Sequence, residues 1–145
     1  MTIKDLLIEA DAIQVGVTEK DWRQVIRLAA RPLIKGGYLE ARYGEAVIDS
    51  TLEHGAYYVF DEGIAMPHAR PECGVKRDCF SLVLLQEPIR FGESEAADIV
   101  IMFGARNSNA HIEEGIRAIV HLLDNDDTLA ALRAARTREE VVALL

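Results

Sequence analysis

Apolar positions along the chain change their spacing twice. Trp22, Val25, Ile26, Ala29 and Leu33 recur at intervals of three and four, the period of one helix face. Thr18 is placed to cap the start of that helix, and Gly36-Gly37 to end it. Ala46, Val47 and Ser50 continue a second helix from about Glu40 to His54, with Gly55 as its stop. The pattern then turns to strand. Tyr57-Tyr58-Val59-Phe60 is rich in aromatic and β-branched residues, and Phe80 to Leu85 and Ile99 to Phe103 are apolar runs of strand length. These runs are continuous, which predicts strands covered on both faces.

Helical spacing returns with Ile112, Ile116, Ile119, Val120 and Leu123. Leu129 and Leu132 mark a short helix after the acidic turn Asp124 to Asp127. Thr137-Arg138-Glu139-Glu140 has the spacing of a capping box opening a last helix through Leu145. Helices, then strands, then helices around one sheet predict an α/β sandwich: a single domain over residues 1–145, with a central mixed sheet flanked by helices. Trp22, Ile26, Val47, Leu82, Leu84, Val100, Ile116 and Ile119 are its expected core.

Composition narrows the function. The chain has 145 residues, half of them hydrophobic, enough for a real core. A net charge of −8 disfavours nucleic acid and anionic membrane surfaces, which reward clustered Lys and Arg. It permits steered encounter with a partner carrying a basic patch. The apolar runs are too short to span a bilayer, and the first residues lack the apolar core of a signal peptide. Cys73 and Cys79 lack metal-ligand spacing and read as reduced thiols of a cytoplasmic protein. No His-Glu-x-x-His pattern and no Gly-rich nucleotide loop occur, so neither metal nor cofactor is expected.

The chemistry concentrates in Gly63-Ile64-Ala65-Met66-Pro67-His68-Ala69-Arg70. Pro67 fixes its own φ and biases Met66 toward an extended backbone, so His68 stands on a stiff, non-helical segment. A neutral imidazole is a good nucleophile near pH 7, and a stiff backbone suits in-line attack. His111 follows Asn107-Ser108-Asn109-Ala110 at the end of a buried strand and in the first turn of a helix. Free backbone N–H groups there favour anions. Arg70 is a candidate to pair with phosphoryl oxygens or to steer a partner from solvent. His54 ends the second helix, where positive charge suits the dipole. Met66 either meets a partner through its adaptable thioether or points into the core. Ile64, Ala65 and Ala69 are further apolar candidates for a docking face. His121, Asp49 and Asp98 read as structural or solvated.

Gly-Ile-Ala-Met-Pro-His-Ala-Arg-Pro-Glu, from Gly63 to Glu72, resembles the active-site segment of type-2 enzyme IIA proteins of the bacterial sugar phosphotransferase system. The resemblance extends through Asp21-Trp22, Arg42-Tyr43, Phe80-Ser81-Leu82-Val83, His111 and Arg136-Thr137, nearly the whole chain. It lies nearest the stand-alone ascorbate-type and cryptic-mannitol-type subunits.

The resemblance implies that His68 takes phosphate from the phosphohistidine of HPr. His68 then gives it to a cysteine of a cognate enzyme IIB, which acts with a membrane enzyme IIC. It implies that His111 shares the site. Mannitol-type relatives carry a phosphate-binding arginine near Glu53-His54-Gly55, which this chain lacks, so His54 or Arg70 is left to supply the positive group. The ascorbate type is favoured over the mannitol type. A regulatory IIA-like module is the alternative, and a two-histidine hydrolase lacks a Ser, Cys or metal partner.

Overall fold

Seven consecutive residues, Cys79 to Leu85, are buried at the start of the longest strand of the computed structural model. Successive strand residues face opposite sides, so both faces of that strand are covered. Residues 2–60, 62–106 and 110–145 are described; within the helix that begins at Ala110, the side chains at 110–112, 114, 115, 118 and 122 lie outside the description.

The elements run α1 Ile3–Glu9, β1 Ile13–Val17, α2 Trp22–Lys35, α3 Arg42–His54, β2 Val59–Phe60 and β3 Ile64–Ala65. A short 3-10 turn at Pro71–Cys73 leads to β4 Cys79–Arg90, β5 Ala96–Gly104, α4 Ala110–Leu123, α5 Asp126–Ala134 and α6 Arg138–Leu144. The five strands form one mixed sheet in the order β1-β4-β5-β3-β2. β1 runs parallel to β4, and β3 parallel to β5, while β4–β5 and β2–β3 are antiparallel. Helix α2 packs on β4, β5 and α3; α1, α4, α5 and α6 form a second packed group against β1 and β4. The sandwich expected from the apolar pattern is the fold observed.

Boundaries differ for local reasons. Asp21, not Thr18, caps α2: its side chain accepts from the Arg23 N–H, and Thr18 lies a turn too early. Pro32 sits inside α2 and offers no N–H to the Leu28 carbonyl. Gln14 Nε2 on β1 donates to that carbonyl at 2.7 Å, so the broken helix bond becomes a tie to the sheet. Gly37 ends the helix at φ 79°, a left-handed position that glycine adopts without a Cβ clash.

Tyr57 and Tyr58 form a turn, and only Val59–Phe60 pairs as strand. β4 outruns the expected Phe80–Leu85 because the ladder slips between Leu84 and Ile89, letting the strand pass Pro88. At the last helix, the Thr137 side chain accepts from the Glu140 N–H, but Glu140 reaches the Arg136 N–H at 3.4 Å and not the capping residue. Half of the expected capping box forms. Ile26, Val47, Leu82, Leu84, Val100 and Ile119 are buried as expected, whereas Trp22 and Ile116 are half-buried at the edge of the core.

Asp98 is not solvated. Its carboxylate, 13% exposed, accepts from Arg133 of α5 at 2.8–3.0 Å, and Arg133 also donates to the Glu62 carbonyl. This pair clamps α5 to the amino ends of β3 and β5. Asp49 is exposed, as expected.

Candidate active site

The segment around His68 leaves the sheet where two parallel strands end. β3 pairs with β5 through Ile64–Ile99 and Ala65–Val100, and the Phe103 N–H then reaches the Pro67 carbonyl at 3.4 Å. His68 therefore stands at the carboxyl ends of β3 and β5. In open α/β sheets this crevice is where ligands settle.

One buried side chain pins the segment. Tyr43, on the inner face of α3, donates its phenolic hydrogen to the Phe103 carbonyl at 2.7 Å. The same oxygen accepts from the Ala69 N–H at 2.9 Å. Burial pushes the phenol pKa well up from its usual value, so it remains a neutral donor. The residue after His68 is thereby tied to the end of β5 and to α3 at once.

The imidazole is half-buried and its two nitrogens have different jobs. Nδ1 lies 2.9 Å from the Met66 carbonyl oxygen. A carbonyl only accepts, so Nδ1 carries the proton and Nε2 carries the lone pair. The ring stacks on Phe103 with centroids 4.5 Å apart and planes 24° apart. The edge of Tyr57 meets it from the side at 5.6 Å and 85°, with the Tyr57 hydroxyl 3.5 Å from Nε2. An aromatic floor, an aromatic wall and a backbone bond thus leave Nε2 as the nitrogen presented for attack.

His68 lines a cavity of about 720 Å³ whose lining also includes Glu53, His54, Tyr57, Arg70 and Glu113. His54 and Arg70 are thus brought to the same cavity as His68. His54 is largely exposed, its Nε2 3.8 Å from Glu53. Arg70 is exposed two residues after His68. Met66 is only 5% exposed: of the two orientations open from the sequence, the inward one is observed, and the side chain is core. Ile64 and Ala65 are buried as well, because β3 is an inner strand between β5 and β2, so they cannot form a docking face. Ala69 is half-buried.

His111 occupies the second position of α4, whose Glu113 and Ile116 line this cavity; its side chain and Asn107-Ser108-Asn109 lie outside the described residues. His121 is exposed and borders a separate apolar cavity with Leu7 and Leu82.

Sequence reasoning missed Tyr43, Tyr57 and Phe103. Tyr43 shares the periodicity of a core helix face, and Phe103 that of a buried strand. Only the doubled Tyr57-Tyr58, two large aromatics before a two-residue strand, hinted that one of them faces outward. No group of three or more metal-ligating side chains gathers among the described residues.

Residues 6–145 match the family model of the phosphoenolpyruvate-dependent sugar phosphotransferase system, EIIA 2. The chain belongs to this family. An EIIA component is a phosphocarrier of the phosphotransferase system, a transferase. The chain is 36% identical to the ascorbate-specific PTS system EIIA component of Shigella boydii, over 100% of this chain and 96% of that protein. A PTS IIA (PtxA) crystal structure from Streptococcus mutans superposes with a TM-score of 0.93 at 38% identity, covering 99% of this chain and 92% of that one. Enzyme IIA-Mtl of Escherichia coli, solved in complex with phosphorylated enzyme IIB-Mtl, gives a TM-score of 0.80 at 31% identity, covering 93% and 94%. No described helix of this EIIA chain is long and apolar enough to cross a membrane.

Proposed function

We propose that His68 is the phosphorylated residue of this EIIA domain, taking phosphate from phospho-HPr and passing it to a cysteine of an ascorbate-type enzyme IIB. The observation that carries this reading is the Nδ1–Met66 bond, which leaves a lone pair on Nε2 of a ring that lines the cavity. In the first step the Nε2 lone pair attacks phosphorus, the P–N bond of the donor breaks, and its electron pair returns to the donor imidazole. The His68 ring keeps its Nδ1 proton against the Met66 carbonyl and carries positive charge beside the phosphoryl group. That charge makes the ring a good leaving group for the second step. There a thiolate attacks phosphorus, the P–Nε2 bond breaks, and the pair returns to Nε2.

Arg70 supplies positive charge to the cavity that His54, Glu53 and Glu113 also line. His111, at a helix start, supports the transfer without carrying phosphate. The protein works in the cytoplasm with HPr and IIB in turn, upstream of a membrane enzyme IIC. The ascorbate assignment rests on the 36% identity to an ascorbate-specific component.

The test is phosphotransfer from phosphoenolpyruvate through enzyme I and HPr to purified IIB proteins. Ascorbate-type IIB should discharge the phosphoprotein faster than mannitol-type IIB, and His68→Ala should take up no label. Equal discharge by both types would remove the substrate assignment; labelling of His68→Ala would remove the site.

A further inference from the structure

The Tyr57 hydroxyl lies 3.5 Å from Nε2, and buried contacts support it there. Tyr57 precedes Tyr58, which is 3% exposed and bonded through its hydroxyl to Thr51 Oγ1 at 2.7 Å. Thr51 in turn donates to the Val47 carbonyl of α3 at 2.8 Å. The two tyrosine rings meet edge to face at 5.6 Å. A buried anchor therefore holds an exposed neighbour: Tyr57 is 59% exposed, yet its edge lies against the His68 ring. Burial does not explain an aromatic ring left that open. Among the described residues its hydroxyl has no hydrogen-bond partner besides Nε2.

The direction of that contact follows from the tautomer. Nε2 has no proton, so the phenol must donate. At 3.5 Å the bond is long and weak, so the phenol gives it up at little cost when a phosphoryl donor approaches. When phosphorus joins Nε2, the lone pair is used up, and the phenol moves off that atom to the phosphoryl oxygens beside it. The donor then has a stronger, anionic acceptor. A cavity rim carrying Glu53 and Glu113 makes such a neutral donor useful, because it adds a hydrogen bond without needing charge.

We propose that Tyr57 is a catalytic residue of this domain: its phenol gives its hydrogen bond to Nε2 at rest and to the phosphoryl group during transfer. This rests on the reading of His68 as the phosphoryl acceptor. The bond made to the phosphoryl group exceeds the one given up to Nε2, so the phenol favours the loaded state and the transition states on both sides of it.

Tyr57→Phe keeps the ring, its exposure and its edge contacts, and removes only the donor. In the intact protein, phosphoryl exchange with HPr should slow by roughly tenfold or more, below the 10²–10³ typical of an enclosed oxyanion donor because this one is exposed. The isolated phosphoprotein should also hydrolyse at a changed rate. The imidazole tautomer and the near-UV circular dichroism should match wild type. Wild-type protein labelled on His68, with Tyr57→Phe exchanging and hydrolysing at the wild-type rates, overturns the Tyr57 assignment alone. Wild-type protein labelled elsewhere overturns the reading beneath it.

Discussion

Tyr43→Phe isolates the contact that fixes the His68 segment. The substitution keeps the ring in the core and removes one oxygen atom. That oxygen donates to Phe103 at 2.7 Å and accepts from Ala69 at 2.9 Å, so two backbone groups lose a partner. A net hydrogen bond contributes about 1 kcal/mol, and a buried group left unpaired costs about 1–3 kcal/mol. The Phe103 carbonyl lies in a buried strand and takes the larger cost, while the Ala69 N–H, in a half-buried loop, can recruit water. The expected loss is about 2 kcal/mol. For a domain of 145 residues that corresponds to a fall in Tm of roughly 6–7 °C.

The assay is urea unfolding followed by fluorescence and circular dichroism, with the m value unchanged because no new surface is exposed. A second readout is phosphotransfer from HPr, which should slow as Ala69 and the neighbouring imidazole loosen. A loss below about 0.5 kcal/mol, with transfer unaffected, would show that Tyr43 does not hold the segment and would refute the reasoning.

Two further outcomes follow from burial. Burial pushes the Cys79 thiol up to about 12, whereas Cys73 is half-exposed, so a thiol reagent at neutral pH should modify one cysteine quickly and the second only on unfolding; two fast thiols would contradict this. The Tyr58 phenol is likewise pushed up to about 12, mainly by burial. Both groups hold their protons more tightly when folded, so their contribution is complete below the unfolded values of 9.0 and 10.0 and is lost as pH rises toward 12. Unfolding free energy should be level from neutral pH to about 9 and fall above it, and a flat profile to pH 12 would count against these burials.

The parts of the fold that the sequence disclosed are those where burial and periodicity coincide. α2 and α3 present long apolar faces, and β4 and β5 are covered on both sides, so their runs are unbroken. α1 went unseen because only the adjacent Leu6 and Leu7 are buried in it, a spacing that carries no helical period. β1 was hidden by Gln14 and by Gly16, which takes φ 64° where the ladder to β4 slips. At the site, Pro67 made His68 conspicuous because proline imposes its constraint locally. Tyr43 and Phe103 gave no such sign, since their roles arise from contacts between α3, β5 and the His68 segment. Met66 could not be assigned from sequence because a flexible thioether serves a core and a surface equally; pairing of β3 inside the sheet decided it.

If Nε2 of His68 accepts the phosphoryl group, Nδ1 keeps its proton against the Met66 carbonyl. Protein labelled with ¹⁵N in its histidine rings, phosphorylated by phosphoenolpyruvate, enzyme I and HPr, reports this through long-range ¹H–¹⁵N correlation spectra. Coupling to phosphorus is expected at Nε2 of His68, with a protonated Nδ1 and unaltered rings at His54, His111 and His121. Phosphorus on Nδ1 of His68, or on any other histidine, would contradict it.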